Sequence, residues 1–435
     1  MRINITLFLI LLGALSVNAQ IDFKTVDIKT YDFYQKAQWD SLISIGKEAK
    51  KQDVDYYYLN YRMGVAYFYK NMFYSASYYF EKAMKQNIGS RNDSVFNKYL
   101  YLSYIYTLRY GNAMTVPIDS TNTSLRKKLT RSSIYAYGGA GSVIPIDNKK
   151  LQKKGNVDLS FTHYQQGNTI WGIAAHHQLY PWLSLDISYT NIQFSDVAAV
   201  DTDDSLTIRT STISQQNISL IPEFRINEKW QIRLAFAYSF NSGTPYVLST
   251  YSPYGPYLFE AKDYNEENYL LGANVYRQFR NFKLGLEMGI SNYSHTNQTQ
   301  FGLNLTYYPF SNLNLYSYTS ASVKFEENKS NFIIHQDLGF KVMPKLWMEI
   351  GGTFGELKNY NVFNLGYGYN TTDHIKMLLN AKLIYLFNSN IEFFIEGHYY
   401  KRNGMIYNFY PDKASNRSKL NYNYWSVSGG LIWKF

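Results

Sequence analysis

The residues able to do chemistry in this chain are few, and their spacing argues against catalysis. The seven histidines, His163, His176, His177, His295, His335, His374 and His398, form no HExxH pair or other metal-type spacing. His176 and His177 are adjacent, so on a strand their side chains would point to opposite faces and could not share a metal. There is no cysteine, which excludes disulfides, thiolate catalysis and zinc–thiolate sites. Gly138-Gly139-Ala140-Gly141-Ser142 has the look of a phosphate loop but lacks the Gly-Lys-Ser/Thr that would complete one. A strand packed closely beside its neighbours accounts better for those glycines. Asp201, Asp203 and Asp204 could offer carboxylate oxygens to calcium, but three acids in a loop are ordinarily solvated. The expectation is a protein that is not an enzyme, with no metal and no cofactor.

What remains is residues that bind or line. Past about Ser132 the apolar period changes from 3.6 to 2. Trp230, Ile232, Leu234, Phe236, Tyr238 and Phe240 alternate, as do Phe282 to Ile290 and Ile375 to Tyr385. Runs of this length match strands that cross a bilayer, about 9–11 residues. Positions on the other face hold acids (Glu223, Glu287, Asp337, Glu349, Glu392, Glu396) and bases (Arg225, Arg233, Lys283, Lys341, Lys376, Lys382) in equal number. A strongly selective pore would carry a ring of one sign. Balance instead predicts ion pairs across a narrow lumen, or a weakly selective pore.

Connections alternate in length. Short links occur at Tyr180-Pro181, Asn227 to Lys229, Arg280-Asn281, Pro309 to Asn312, Met343 to Lys345 and Asn388 to Asn390. Between them lie longer ones: Ser195 to Thr212, Asn241 to Glu266, Lys358 to Thr372 and Asn403 to Asn421. This asymmetry, with short periplasmic turns and long outer loops, belongs to outer-membrane barrels. It predicts about 14 antiparallel strands. Ile134–Val143 and Val157–His163 both read as strands before the first turn, so one of them does not span, or the count is 16. The longest outer loop is crowded with Tyr246, Tyr251, Tyr254 and Tyr257.

The last strand alternates through Trp425, Val427, Gly429, Leu431, Trp433 and Phe435. It resembles the terminal signal that the barrel assembly machinery of Gram-negative bacteria recognises. On that resemblance Trp425, Val427, Leu431, Trp433 and Phe435 are the barrel-assembly signal.

The first hundred residues are helical in pattern, with five helices expected near 25–36, 38–51, 54–70, 73–86 and 93–109. Leu59, Met63, Gly64, Tyr67, Ala76, Phe80 and Ala83 resemble a tetratricopeptide repeat, a helix–turn–helix of about 34 residues. One repeat length earlier, Trp39 and Ala49 recur at the aromatic and final-alanine positions. Leu102, Ser103 and Tyr106 start another repeat after an insertion. The resemblance implies a groove lined by Tyr58, Tyr61 and Tyr69, with Asn97 and Tyr104 from the next helix, suited to an extended peptide. Equally, these tyrosines could cover helix seams.

Arg2, the apolar run Ile5–Leu15 and Val17/Ala19 read as a signal peptide over 1–19. A helical domain follows over 20–113, a basic linker over 114–131 and a barrel over 132–435. Of the net charge of +10, the signal segment carries +1, the helical region +4 and the linker +3, leaving +2 for the barrel. An exported chain has little access to nucleic acid, so the basic linker reads as solvated or drawn to anionic head groups.

This order of parts resembles outer-membrane barrels with periplasmic tetratricopeptide domains. One branch of these exports exopolysaccharide through an open pore fed by a long repeat array. The two and a half repeats and mixed-sign lumen of this chain depart from that branch. The reading is an outer-membrane anchor, α-helical solenoid then transmembrane β-barrel, whose periplasmic domain binds a protein partner in an assembly, secretion or envelope-maintenance complex. Its other partners would be outer-membrane lipid and the assembly machinery. The alternative is a channel or an exopolysaccharide or solute exporter.

Overall fold

The computed structural model describes residues 22–119, 122–152, 157–202, 205–248, 259–362, 366–368, 370–371, 373–410 and 414–435. The expected signal segment 1–19 lies outside these, as do Asp203, Asp204, Tyr251, Tyr254 and Tyr257. The chain forms two compact units: the helical one, and a barrel unit that also takes in Leu108–Thr115.

In the helical unit α1 (Phe23–Gln35), α2 (Trp39–Lys51), α3 (Tyr57–Tyr69), α4 (Phe73–Gln86) and α5 (Ser94–Ile105) follow one another. Asp22 caps α1 by accepting from the Thr25 amide at 2.9 Å, and Asp93 caps α5 by accepting from Val95 and Phe96. Such caps satisfy amides that have no partner within the helix. Leu42, Leu59, Met63, Phe80, Ala83 and Phe96 form the buried seam. Close approach depends on two glycines: a Cβ on Gly46 would strike Met63, and one on Gly64 would strike the Phe80 ring. The starts of α1 and α3, Phe23 and Tyr57, lie 34 residues apart, and so do those of α2 and α4, Trp39 and Phe73. Two short helices, α6 (Tyr110–Ala113) and α7 (Thr123–Arg126), come next. No described helix is long and apolar enough to cross a membrane.

Fourteen strands then close into an antiparallel barrel. They are β1 (Ser132–Val143), β2 (Leu159–Tyr180), β3 (Leu183–Asp201), β4 (Leu206–Arg225), β5 (Trp230–Gly243), β6 (Tyr264–Gln278) and β7 (Phe282–Ser291). The ring continues with β8 (Gln298–Tyr307), β9 (Leu315–Glu326), β10 (Lys329–Met343), β11 (Leu346–Phe354), β12 (His374–Leu386), β13 (Ile391–Phe409) and β14 (Asn416–Lys434). Every strand pairs with its neighbour in sequence, and β1 pairs with β14 from Ser133–Lys434 to Val143–Tyr424. At the end of this seam the Phe435 amide donates to Ser132 O at 2.9 Å and Phe435 O accepts from Ser132 N at 3.0 Å.

Apolar side chains cover the outside: Ile173, Ile218, Leu286, Met288, Leu303 and Ile395 are all exposed. Tyr180, Trp182, Tyr307, Tyr385 and Trp433 are exposed near the short turns, as an aromatic girdle at a membrane interface would be.

The surplus strand is resolved. Val157–His163 is not a separate crossing; from Leu159 it is the outer part of the 22-residue β2, much longer than a bilayer needs. Two expected loops are also largely strand, because β3 runs on to Asp201 and β13 to Phe409. Beyond the ends of β1 and β12, Leu159–His163 pairs with Met405–Phe409, joining strands that β1 and β14 otherwise separate. Leu151, Tyr164, Val197, Leu420, Tyr422 and Tyr424 pack into an apolar cluster there. A strand projecting past the hydrocarbon must find new pairing and new cover, and this cluster provides both.

Because β14 carries both the β1 and β13 seams, truncation before Trp425 leaves two strand edges open. The truncated chain should lose the folded, heat-modifiable band in semi-native electrophoresis. Trp433→Ala should lower its yield while leaving residual folding.

Candidate functional site

The lumen is lined by alternate residues of each strand, and most of its charged groups meet an ionic, hydrogen-bonding or ring partner. Arg233 of β5 donates to Asp186 of β3 at 2.7 Å and lies 4.0 Å from Glu223 of β4. His176 of β2 completes this row with Nδ1 at 2.7 Å from Asp186. Lys382 stands 3.8 Å from Glu396, which also faces His398 at 3.5 Å. Lys434 pairs with Glu392, and the Tyr316 hydroxyl donates to Glu349. Glu287 accepts from Ser322 at 2.9 Å and Asp337 faces His335 at 2.6 Å. Lys376, expected in the lumen, does not line it: a bulge there turns Ile375 inward, and Lys376, facing Glu356 at 2.5 Å, is exposed. Lys283 lies over Tyr276 and Lys341 over Trp347, while Arg225 donates to Pro181 O at 2.8 Å.

The pairs expected across the lumen therefore run along its wall. Glu223 and Arg233 are direct partners on adjacent strands, as are Lys382 and Glu396. Facing residues on neighbouring strands stand about 5 Å apart. Two side chains reaching inward across a 14-strand ring cannot match that. Asp186, His176 and Lys434, absent from the expected set, complete the rows; their alternation with lipid-facing neighbours marked them.

The interior is further filled from each end. The described part of the Gly355–Asp373 segment, between β11 and β12, folds into the lumen. Gln300 of β8 holds it as a strand would: Nε2 donates to Asn361 O at 3.0 Å, and Oε1 accepts from Asn361 N at 3.1 Å. Ser291 donates to the Asn361 carboxamide at 3.0 Å, and Asn359 donates to Glu326 at 2.9 Å. Lys324, with no exposed side-chain surface, lies 3.0 Å from Glu326 and donates to Lys358 O. Further along, Gly366 has φ +63°, and its added Cβ would meet Ser219 and Ile221 of β4, on the opposite wall. Its described parts thus reach β8 and β9 on one side and β4 on the other.

At the turn end, α6 lies against the β2–β3 and β4–β5 turns. Arg109 donates to Glu228 O, and a Cβ on Gly111 would strike Pro181 O. Lumen-facing Asn274, Gln300, Asn304, Ser322 and Lys324 are 0–2% exposed. These side chains have almost no surface open to water.

The expected groove residues divide in the helical unit. Tyr58 and Tyr69 are exposed. Tyr58 lies over the Arg62 guanidinium at 5.6 Å, and Tyr69 stacks on Trp39 at 4.9 Å. Tyr61 packs among Tyr34, Phe80 and Phe96. Burial raises its phenol well above the ordinary tyrosine value, with Tyr34 adding to the effect. Asn97 and Tyr104 are buried, donating to Arg91 O at 2.7 Å and to Glu81 at 3.2 Å. Their side chains belong to the helix interior, because α5 turns that face inward.

A polar hub closes the other side of this unit. Asp55 accepts from Asn60 at 2.6 Å, Lys50 at 2.8 Å and Gln86 at 3.1 Å. Burial opposes its ionisation, but the bonds from Lys50 and Asn60 outweigh it and hold the carboxyl well below the usual range.

No family model matches the chain, and no curated protein matches it. Among solved structures it is similar to a FadL homologue of Pseudomonas aeruginosa, with 9% identity and a TM-score of 0.44 over 75% of this chain and 94% of that one. It is also similar to a bacterial polysaccharide outer membrane secretin, at 13% and 0.35 over 70% and 99%. The translocator domain of the autotransporter NalP from Neisseria meningitidis gives 9% and 0.31 over 76% and 99%.

Gln300→Leu should free the Gly355–Asp373 segment, because it strands the buried Asn361 amide and carbonyl at about 1–3 kcal/mol each. Amide exchange at Asn361 should accelerate at least about tenfold in hydrogen-exchange mass spectrometry while the strands stay protected. A second outcome concerns acid. A depressed Asp55 contributes stability above its unfolded value, near 4, and that stability is lost as pH falls through the folded value. Helical ellipticity at 222 nm should therefore melt at lower temperature as pH drops below about 4. Asp55→Asn should flatten that slope.

Proposed function

We propose that this chain is an outer-membrane protein of a Gram-negative envelope, in which a largely filled barrel anchors a periplasmic tetratricopeptide-like domain that binds a protein partner. The observation carrying this reading is the lumen entered by the described parts of the Gly355–Asp373 segment, with Asn274, Gln300, Asn304, Ser322 and Lys324 around it out of reach of water. A barrel so filled serves better as an anchor than as an open conduit. The 34-residue recurrence of helix starts and the Gly64–Phe80 approach support the tetratricopeptide assignment. Short turns support placing that end of the barrel in the periplasm. The exposed Tyr58 and Tyr69 are the contact residues this reading favours, with Tyr61 supporting them from beneath.

The channel or exporter reading draws on one observation. Asn359, Asn361 and Asn370 of the Gly355–Asp373 segment are held by hydrogen bonds to lumen and loop side chains, a fastening that water could replace. A transporter would have to move that segment aside.

Planar-bilayer recordings and site-specific cross-linking separate the two. The anchor reading predicts low conductance with little preference between anions and cations. A photo-reactive residue at Tyr58 or Tyr69 should capture one protein in whole envelopes, and one at Glu48 should not. A large, steady, charge-selective conductance with no cross-link at either tyrosine would favour transport.

A further inference from the structure

A cavity of about 60 Å³ lies at the loop end of the barrel, between the inner faces of β2 to β6 and the Gly355–Asp373 segment. It is room for one ion and a water or two, since a water's share of liquid is about 30 Å³. Asp196, Gln215, Asn241, Tyr264, Asn370 and Thr371 contribute to its polar lining, with Gln165 and Ser294 beside them.

What distinguishes the cavity is where the hydrogens of that lining go. The Asn241 amide donates to Glu266 at 3.1 Å, and the Gln215 amide donates to Asn217 at 2.9 Å. The Asn370 amide donates at 3.2 Å to the Asn268 carboxamide, oriented as its other neighbours require. Thr371 donates its hydroxyl hydrogen to Asp373 O at 2.8 Å, and Tyr264 donates to Glu266. Gln165 Nε2 donates to Gly167 O at 3.4 Å and the Ser294 hydroxyl to Asn359 at 3.2 Å. Most of these donors thus turn to the wall, and the oxygens of Asp196 and Asn241 are left for the cavity. Asn241 is 3% exposed, and its Oδ1 is buried without a hydrogen-bond partner among the described residues. Asp196 is 2% exposed, and its basic neighbour His163 has Nε2 3.6 Å away, beyond hydrogen-bond reach.

Buried acceptors of this kind carry a desolvation cost unless a positive or hydrogen-bearing partner meets them. The size admits little beyond an ion.

We infer that this cavity binds a hard metal cation of the calcium type through the Asp196 carboxylate and carboxamide oxygens, stapling the Gly355–Asp373 segment to the barrel wall. Among the described residues no three His, Asp or Glu side chains converge on a metal site. The ligands here are instead one carboxylate and neutral oxygens, a set that calcium's flexible coordination accepts and the strict octahedron of magnesium does not. One carboxylate implies weak binding, with a dissociation constant of about 0.1–1 mM. Asn370 and Thr371 come from that segment, and Asp196, Gln215, Asn241 and Tyr264 come from β3 to β6. Occupancy would therefore tie the two together.

The test is calorimetric titration of the chelator-treated, refolded full chain in detergent with calcium, magnesium and methylammonium chlorides. Expected are one saturable calcium site, markedly weaker magnesium binding, and at least tenfold loss of calcium affinity in Asp196→Asn and in Asn241→Leu. In the unaltered chain, calcium should also slow amide exchange at Asn370 and Thr371, a readout that needs no variant to fold. Absence of saturable calcium binding overturns the proposal. So does binding unchanged in both variants, or binding of methylammonium alone.

Discussion

An unpaired backbone amide or carbonyl in hydrocarbon costs several kcal/mol, and a sheet that spans a membrane must therefore have no edge. The β1–β14 seam, completed by the reciprocal Ser132–Phe435 bonds, is where this chain meets that demand. Everything inside the barrel follows from it. Once the ring closes, each strand turns half its side chains outward to lipid and half inward. The inward half must then be solvated, paired or covered.

Here pairing and cover dominate. Adjacent strands set opposite charges side by side, so Arg233 can neutralise both Asp186 and Glu223 without reaching across the ring. Gln300 offers the Gly355–Asp373 segment both halves of a backbone-like hydrogen-bond pair, which lets irregular chain lie inside the barrel with the Asn361 backbone amide and carbonyl satisfied. At the turn end α6 sits against Pro181 and Glu228. At the loop end β2 leaves β1 for β13 and is covered by Tyr164, Leu420 and Tyr422. The filling thus mixes polar contacts with apolar clusters, one of Ile221, Ala235, Leu270 and Tyr293 and another of Ile333, Leu357, Tyr360, Ile375 and Leu378.

Strict alternation made the barrel legible from sequence, because lipid tolerates no exception on the outer face. Trp230 to Phe240 and Phe282 to Ile290 could be read residue by residue. The helical hairpins were legible for a similar reason, as Gly64 and Ala83 fall where packed helices need small residues. What stayed hidden depends on contacts distant in sequence. Nothing local to Asn359–Asn370 says that it enters the lumen; that is decided by Gln300 and by Ser219 on the far wall. The four-residue α6 is too short to show a period. Asn97 and Tyr104 carry groove-like side chains, but the rotation of α5, set by Phe96 and Leu100, buries them.

The absence of native cysteine allows a direct probe of the filled interior. Single cysteines at Asn304 and Ser322, on the covered side, and at Ser188 and Ser428, on the partly accessible side, can be challenged with a small charged thiosulfonate in the folded, membrane-inserted protein. The account predicts slow or no labelling at Asn304 and Ser322, with faster labelling at Ser188 and Ser428. Rapid labelling at all four positions would mean that water and solute fill the lumen, and would contradict it.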